Sequence, residues 1–377
     1  MAESKNQPRI KYVRQYDYAL LLLTIGLALF GVIMIYSAGY YTASLDNNPY
    51  KYVKSQLYSL VIGVVIMLVV SNFDYQVLKQ KRFLRKYSLI HAVYILALIM
   101  QTAVLFVGQE INGSKRWLKL GPLQFQPSEI SKIATIVLIA YAVYNKRKDF
   151  DKLAGFVRIF CYIFPLFVLI GIENLSSALI IFAIAFGMCF VASKKKMYFV
   201  VFGLVAIVGV GLFILLGQGY RMGRIEIWLD VENEPLAFQI RQGLYAIASG
   251  GFFGKGLGES MQKLGFIPEA YNDMIFSVIC EELGIVGASV LLIAFLALFW
   301  RIVIIACHAP DLFGTMLAAG VMIQLAVQVI LNVAVVTNSI PSTGVPMPLI
   351  SYGGTSAIII MAEIGIVLGI SRQVKQK

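Results

Sequence analysis

The chain alternates long apolar stretches with polar segments over nearly its whole length. An α-helix needs about 20 apolar residues to cross the hydrocarbon core of a bilayer. Stretches of this kind are centred on residues 17–38, 57–73, 88–107, 128–145, 155–172, 175–193, 197–217, 273–305, 312–335 and 348–371. The pattern predicts an all-α, polytopic membrane protein with about ten transmembrane helices, built as one domain over residues 1–377.

One polar segment is far longer than the other connections. Residues 218–272 separate the seventh and eighth apolar stretches, so they are predicted to form a large extracytoplasmic loop between helices 7 and 8. The composition agrees with a lipid environment, because 59% of the residues are hydrophobic and only 14% are charged, against about a quarter in soluble domains.

The net charge of +12 comes from unevenly placed lysine and arginine residues. Short cytoplasmic segments of membrane proteins are enriched in these residues. Most of the 32 fall in one set of alternate segments, at Lys5, Arg9, Lys11, Arg14, Lys79, Lys81, Arg82, Arg85, Lys86, Lys146, Arg147, Lys148, Lys152, Lys194, Lys195, Lys196, Arg301, Arg372, Lys375 and Lys377. We therefore expect a multi-pass protein with both termini in the cytoplasm, and no nucleic-acid partner.

Histidine and cysteine chemistry is poorly supported. The two histidines, His91 and His308, fall on the cytoplasmic side of the predicted topology, away from the long loop. The cysteines show no CxxC spacing and lie in or beside apolar stretches, at Cys161, Cys189, Cys280 and Cys307. Ser–His or Cys–His catalysis, a disulfide framework and a zinc site are therefore not expected.

Ionisable residues inside apolar stretches mark positions that need a structural or functional explanation, because each costs several kcal/mol in lipid. Glu129 and Lys132 are three residues apart and so share one helix face. They either form a buried structural pair or line a polar cavity. Glu281, Glu282 and Glu363 also lie inside apolar stretches, and Glu173 lies between the fifth and sixth stretches.

Basic residues also gather in two segments predicted to lie outside. Arg116, Trp117 and Lys119 lie in the first, residues 112–129, where Trp117 is either an interface anchor or part of a phosphate-binding site. The long loop holds Arg221 and, within SGGFFGKGLG at 249–258, Lys255. This run is not a Walker motif, because glycine follows the lysine, so we expect a re-entrant or interfacial segment in which Lys255 meets an anionic headgroup.

Asp273 lies where the long loop enters the eighth apolar stretch. It is either a helix N-cap or a carboxylate that accepts a proton from a sugar hydroxyl. A two-carboxylate glycosidase needs partners roughly 5–10 Å apart, whereas Asp273 and Glu282 would be about 13 Å apart on a helix. Glu269 is a closer neighbour in sequence. Hydrolysis is therefore not the preferred reaction.

A site outside the cell has no access to ATP, so a synthetic reaction there needs a substrate that arrives activated. A lipid-linked pyrophosphate sugar fits this requirement. It needs an apolar groove, cations for the pyrophosphate and one base for the acceptor hydroxyl, and the sequence offers all three.

Four motifs together resemble the SEDS family of shape, elongation, division and sporulation proteins. They are Arg116 with Trp117, QPSEISK at 126–132, SGGFFGKGLG at 249–258 leading to PEAYNDMIFSVICEELG at 268–284, and GVPMPLISYGG at 344–354. The resemblance covers residues 17 to 372 in family order. The run QKLGFIPEA at 262–270 is closer to the division and sporulation members, whereas GVPMP at 344–348 is closer to the elongation member.

The resemblance implies a peptidoglycan glycosyltransferase of the bacterial cytoplasmic membrane that polymerises lipid II beside a class B penicillin-binding protein and other division or elongation proteins. It implies that Asp273 is catalytic and that Trp117, Glu129 and Lys132 are functional. Two departures stand out. The family's PDLGTA is ENLSSA at 173–178, where Glu173 is a possible substitute for the aspartate, and Tyr271 and Asn272 replace a His-Thr pair.

The sequence leaves several alternatives open. Arg116, Lys119, Arg221 and Lys255 are candidates for the leaving pyrophosphate, with Glu269, Glu281 and Glu282 as supporting residues. A divalent cation, Mg²⁺ or Mn²⁺, could share that task, although no residue pattern requires one. The rival functions are a transporter that flips lipid II and a scaffold that only recruits the transpeptidase.

Overall fold

The computed structural model describes residues 16–79, 88–111, 114–120, 123–199, 203, 220–234 and 237–374. Eleven α-helices lie in these ranges: α1 Tyr18–Leu45, α2 Lys51–Asn72, α3 Leu89–Val107, α4 Pro127–Lys146, α5 Leu153–Glu173, α6 Leu175–Ala192, α7 Tyr220–Leu229, α8 Phe238–Gly250, α9 Ile275–His308, α10 Leu312–Val336 and α11 Gly354–Ser371. Short 3₁₀ helices follow α2 at Tyr75–Lys79 and α4 at Arg147–Asp151.

Nine of the described helices, α1–α6 and α9–α11, are long and apolar enough to cross a membrane. This confirms the predicted polytopic helical fold, and the seventh predicted span, residues 197–217, lies almost entirely outside the described residues. Large apolar side chains cover the outside of the bundle, among them Leu22, Ile99 and Phe106 at 68%, 61% and 79% exposure. Such a surface matches a lipid environment.

A small antiparallel sheet departs from the all-α prediction. Strands β1 Gln109–Ile111, β2 Ser114–Leu120 and β3 Leu123–Phe125 pair in the order β1-β2-β3 between α3 and α4. The sequence did not predict these strands because they are only three to seven residues long, too short for a reliable alternation of apolar and polar positions. The sheet lies over the ends of α3, α4 and α5.

The bundle has two distinct ends. At one end, which we call the termini end, the Asp17 N–H donates to Ser371 Oγ at 3.3 Å and Arg301 Nη2 lies 2.6 Å from Asp17 Oδ2. At the other end, which we call the Asp273 end, Tyr271 contacts Tyr52 at the start of α2. The beginning and end of the described chain therefore lie on one side of the bundle.

The long connection before α9 is more ordered than a polar loop. It contains α7 and α8, and the turn that follows α8 docks into a break in α9 at Gly284, whose φ is 67°. The N–H groups of Lys255 and Gly256 donate to the carbonyls of Glu281 and Glu282 at 2.9 and 3.0 Å. These bonds satisfy backbone groups that the break leaves without helical partners, so the turn completes the helix.

Candidate active site

Asp273 lies in the turn that precedes α9, at the Asp273 end of the bundle. It is half-buried, and the position that caps α9 is Met274, which makes no side-chain cap hydrogen bond. Asp273 therefore lies one residue before the N-cap position of α9. A Cβ built on Gly344 would lie 3.8 Å from Asp273 Oδ2, so the carboxylate faces the glycine-containing segment before α11.

Asn332 holds the backbone around Asp273 in place. Its Nδ2 donates to the carbonyl oxygens of Asp273 at 2.7 Å and Val345 at 2.9 Å. Asn332 is 1% exposed and lies on the membrane helix α10, so one rigid helix positions both the aspartate turn and the segment that faces it. This arrangement pre-organises the carboxylate.

Three tyrosines form a cluster beside Asp273. The ring of Tyr271 stacks on Tyr52 at 4.1 Å and meets Tyr352 edge to face at 5.7 Å, while its hydroxyl donates to the Tyr52 hydroxyl at 3.0 Å. Burial and this hydrogen bond raise the pKa of Tyr271, so its phenol stays neutral. The cluster supplies a rigid, partly apolar wall, and Tyr271 is not a competing base.

Glu269 is exposed and lies four residues before Asp273, with a positive φ of 49°. Its Oε2 accepts from Asn272 Nδ2 at 3.3 Å, and its carbonyl accepts from the Asn272 N–H at 2.9 Å. The structure thus brings Glu269 into the same turn as Asp273. A supporting role for Glu269 stays a prediction.

Arg116, Trp117 and Lys119 lie on β2. Arg116 and Trp117 are half-buried and Lys119 is exposed. Glu173 anchors this strand, because its Oε2 accepts from the Lys115 N–H at 2.9 Å and its carbonyl accepts from Arg116 Nε at 3.3 Å. Glu173 therefore has a structural role here, and its use as a substitute for the family's aspartate stays a prediction.

Glu129 and Lys132 form an ion pair of 2.8 Å on α4, with both residues buried. The second carboxylate oxygen of Glu129 accepts from Ser356 Oγ of α11 at 3.2 Å. The pair thus joins α4 to α11 below the Asp273 end. Removing one partner would leave an uncompensated charge, at a cost of about 3–5 kcal/mol.

Glu281 and Glu282 each form an ion pair with a lysine beside the break in α9. Lys255 Nζ lies 2.7 Å from Glu281 Oε1, and Lys263 Nζ lies 2.7 Å from Glu282 Oε1, with both carboxylates fully buried. Ser37 of α1 also bonds Glu282. The structure therefore gives Lys255 a structural partner, and its predicted contact with a headgroup or pyrophosphate has no support in this geometry.

Arg221 lies on α7. The C-terminal part of α7 contacts the residues that follow the C-terminus of α10. Trp228 Nε1 donates to the Asn338 carbonyl at 3.0 Å. This contact brings α7 to the Asp273 end. A role for Arg221 in substrate binding stays a prediction.

Sequence reasoning missed Asn332 because it searched the apolar stretches for ionisable residues only. Gln324, Gln328 and Asn332 recur every four residues on α10 and are all buried. Three amides on one face of a membrane helix give a signal as readable as a charge. That spacing would have identified α10 as the helix that carries the polar interior.

No cluster of three or more His, Cys, Asp or Glu side chains with metal-binding geometry occurs in the part of the chain that the structure describes. Asp273 and Glu269 share one turn, and no third acidic residue joins them among those residues. Mg²⁺ is often held by one or two carboxylates together with substrate phosphates, so a role for Mg²⁺ or Mn²⁺ stays a prediction.

The comparisons with known proteins agree with these features. Stage V sporulation protein E of Bacillus subtilis is 36% identical over 94% of this chain and 97% of its own length. A probable peptidoglycan glycosyltransferase FtsW of a Geobacter species is also 36% identical, over 97% of this chain and 99% of its own length.

Solved structures match as well. A peptidoglycan synthase complex that coordinates polymerization and crosslinking contains a chain with a TM-score of 0.79 and 27% identity, matching 96% of this chain and 99% of that one. The rod shape determining protein RodA of Thermus thermophilus matches with a TM-score of 0.69 and 26% identity, over 96% of this chain and 98% of that one.

A family model completes the assignment. The model of cell cycle proteins that covers FtsW, RodA and SpoVE matches residues 18–376. This confirms the resemblance seen in the four sequence motifs. The chain belongs to the FtsW, RodA and SpoVE family of cell cycle proteins.

Proposed function

We propose that the protein is a peptidoglycan glycosyltransferase that polymerises lipid II at the outer face of the bacterial cytoplasmic membrane. The observation that carries the proposal is the placement of Asp273. Asp273 lies in the turn that leads into a membrane helix, its main-chain carbonyl accepts from Asn332, and its carboxylate faces the segment at 344–353. A relative 36% identical over nearly the whole chain is named as a probable glycosyltransferase of this kind.

In the proposed reaction, Asp273 accepts the proton of the acceptor sugar's 4-hydroxyl. The resulting oxygen nucleophile attacks the anomeric carbon of the undecaprenyl-pyrophosphate-linked strand from the face opposite the leaving group. A carbon–oxygen bond forms, the bond to the pyrophosphate breaks, and undecaprenyl pyrophosphate leaves with its electron pair. The configuration at the anomeric carbon is therefore inverted.

The pyrophosphate carries the charge that develops during this step. Arg116 and Lys119 on β2 and Arg221 on α7 are the proposed contacts. Each charge-assisted hydrogen bond to phosphate contributes about 1.5–3 kcal/mol. Lys255 is left out of this set because Glu281 already holds it at 2.7 Å.

An apolar groove supports a polyprenyl substrate. A cavity of about 710 Å³ opens between α1 and α9, and its lining residues are all apolar or glycine: Ala19, Leu22, Leu23, Gly26, Leu27, Phe30, Leu283, Gly287, Val290, Leu291 and Ala294. It begins at the break in α9 and continues along the membrane helix. A long hydrocarbon chain fits such a surface.

The proposed orientation places both termini in the cytoplasm and the Asp273 end outside. Its support is the concentration of Lys and Arg in alternate segments of the sequence, together with the contact between Asp17 and Ser371, which brings the two ends of the described chain to one side of the bundle. The proposed partner is a class B penicillin-binding protein, because a matching structure belongs to a complex that couples polymerization with crosslinking.

A lipid II transporter is the second candidate. The observation that favours it is the buried polar interior formed by Glu129, Lys132 and Glu363, since ionisable groups inside the membrane often mark transport paths. The two functions differ in what they can do without a bilayer.

The experiment uses the purified full-length protein with its penicillin-binding partner and lipid II in detergent. A glycosyltransferase makes glycan polymer there, visible as a ladder on a gel, whereas a transporter has no membrane to transport across. We expect polymer. A complex that is folded by its melting curve and binds lipid II, yet makes no polymer, would favour the transporter.

A further inference from the structure

Glu363 lies where a negative charge is most costly. It is at the middle of α11, is 1% exposed, and belongs to a helix long and apolar enough to span the membrane. The reaction proposed above does not use it. A carboxylate at that depth needs either a cation of its own or a proton.

The lysine that could neutralise Glu363 is already paired with another carboxylate. The charged groups that act on Glu363 are Lys132 and Glu129, both from α4. Lys132 Nζ lies 2.8 Å from Glu129 Oε1, so these two charges offset each other. An ionised Glu363 would leave this buried cluster with a net charge of −1.

The hydrogen bonds around Glu363 indicate that its carboxyl group is protonated. Gln324 Nε2 of α10 donates to Glu363 Oε2 at 2.7 Å. The remaining oxygens of this pair, Glu363 Oε1 and Gln324 Oε1, are buried, and neither has a hydrogen-bond partner among the described residues. Both are acceptors when Glu363 is ionised. A proton on Glu363 Oε1 turns that oxygen into a hydrogen-bond donor. It then gives Gln324 Oε1 the donor that it lacks.

We propose that Glu363 is held as a neutral carboxylic acid that exchanges two hydrogen bonds with Gln324, which makes it an intramembrane proton-binding site. The acid donates to the amide oxygen and the amide donates to the acid carbonyl. The pair locks α11 to α10, the helix whose Asn332 holds the Asp273 turn. This proposal does not depend on the proposed function.

Infrared difference spectroscopy on the full-length protein at neutral pH tests the proposal directly. A protonated carboxyl group absorbs at higher frequency than a carboxylate. The spectrum of the wild type minus that of Glu363→Gln should show a protonated carboxyl band. The band should shift to higher frequency in Gln324→Leu, because the acid then loses its acceptor.

A carboxylate band in the difference spectrum would overturn the proposal, because Glu363 would then be ionised. A band that changes when Na⁺ replaces K⁺ would also overturn it, since the ligand would be a metal cation.

The melting temperatures of Glu363 variants provide a second test. The glutamine amide reproduces the donor and the acceptor of a neutral acid, so the melting temperature of Glu363→Gln should match the wild type, whereas Glu363→Ala should melt lower. If Glu363→Gln fails to fold while Gln324→Leu folds, the proposal is wrong, because a neutral side chain would then not replace the native one. Lys132 and Glu129 remain unchanged in all variants.

Discussion

Asn332 carries no charge, yet it fixes the turn that contains Asp273 by bonding main-chain carbonyls. Replacing it with leucine keeps the size but leaves the carbonyls of Asp273 and Val345 without their donor. We expect Asn332→Leu to lose about 1–3 kcal/mol of stability and most of the polymerising activity. Thermal melting and the gel assay measure the two effects.

Thr337→Val is the matched control, because Thr337 is exposed at the end of the same helix. Its melting temperature and activity should stay close to the wild type. Equal activity of Asn332→Leu and Thr337→Val would contradict the positioning role of Asn332.

Contacts between single residues can be anticipated from sequence where they are local. Glu129 and Lys132 are three residues apart on one helix, so their pairing followed from helical geometry, and the structure shows it at 2.8 Å. Lys255 pairs with Glu281, which is 26 positions away. No periodicity links those two residues, so sequence reasoning assigned Lys255 to a headgroup instead.

At the scale of elements, the break in α9 depends on two glycines that approach each other closely. Gly254 has a φ of 78°, and a Cβ there would lie 2.1 Å from the Glu282 carbonyl oxygen. That oxygen is held by the Gly256 N–H. We expect Gly254→Ala to lose about 3 kcal/mol or more, through steric overlap and backbone strain, in a thermal melt.

Gly223→Ala is the control for this prediction. Gly223 lies in α7 with nothing within 4 Å of its Cβ position, so alanine there should be neutral or slightly stabilising. An unchanged melting temperature for Gly254→Ala would show that the turn at 250–256 does not dock into α9 as described.

The helices could be predicted because the length and apolar composition of each stretch are local properties of the sequence. They do not depend on what the helix packs against. The strands at 109–125 and the docking of residues 250–256 could not, for different reasons. The strands are too short for a pattern, and the docked turn depends on a helix break at Gly284 that only long-range contacts reveal. An isolated glycine in an apolar run predicts neither a break nor its partner.

At the scale of the whole molecule, an ionic cluster at the termini end ties α10 to the segment after α2. Asp311 accepts from Lys79 Nζ at 2.6 Å, Tyr75 Oη at 2.8 Å and the Gly314 N–H at 2.9 Å. Burial alone would raise the pKa of Asp311, but these hydrogen bonds outweigh it and hold the pKa below its usual range.

A carboxylate whose pKa is lowered by folding stabilises the fold at pH values above its unfolded pKa, which is about 3.9 for aspartate. This stabilisation is lost as the pH falls through the lower pKa of the folded state. Asp311→Asn should therefore lower the stability by about 1–3 kcal/mol at neutral pH and by less at about pH 3. Melting curves at the two pH values measure the difference. Asp46→Asn, which removes an exposed pair with Lys51, should change little. An equal loss from Asp311→Asn at both pH values would contradict this account.

The central claim is that Asp273 is the base of a polymerising enzyme. The most direct measurement compares the polymerisation of lipid II by the wild type, Asp273→Asn and Asp230→Asn, each purified with the partner transpeptidase. Asp230 is an exposed aspartate after α7 whose carboxylate accepts from the backbone and side-chain N–H groups of Asn233. We expect Asp273→Asn to lose about 10²–10⁴-fold in rate with an unchanged melting temperature, and Asp230→Asn to keep the wild-type rate. Polymer formed by Asp273→Asn at the wild-type rate would contradict the claim.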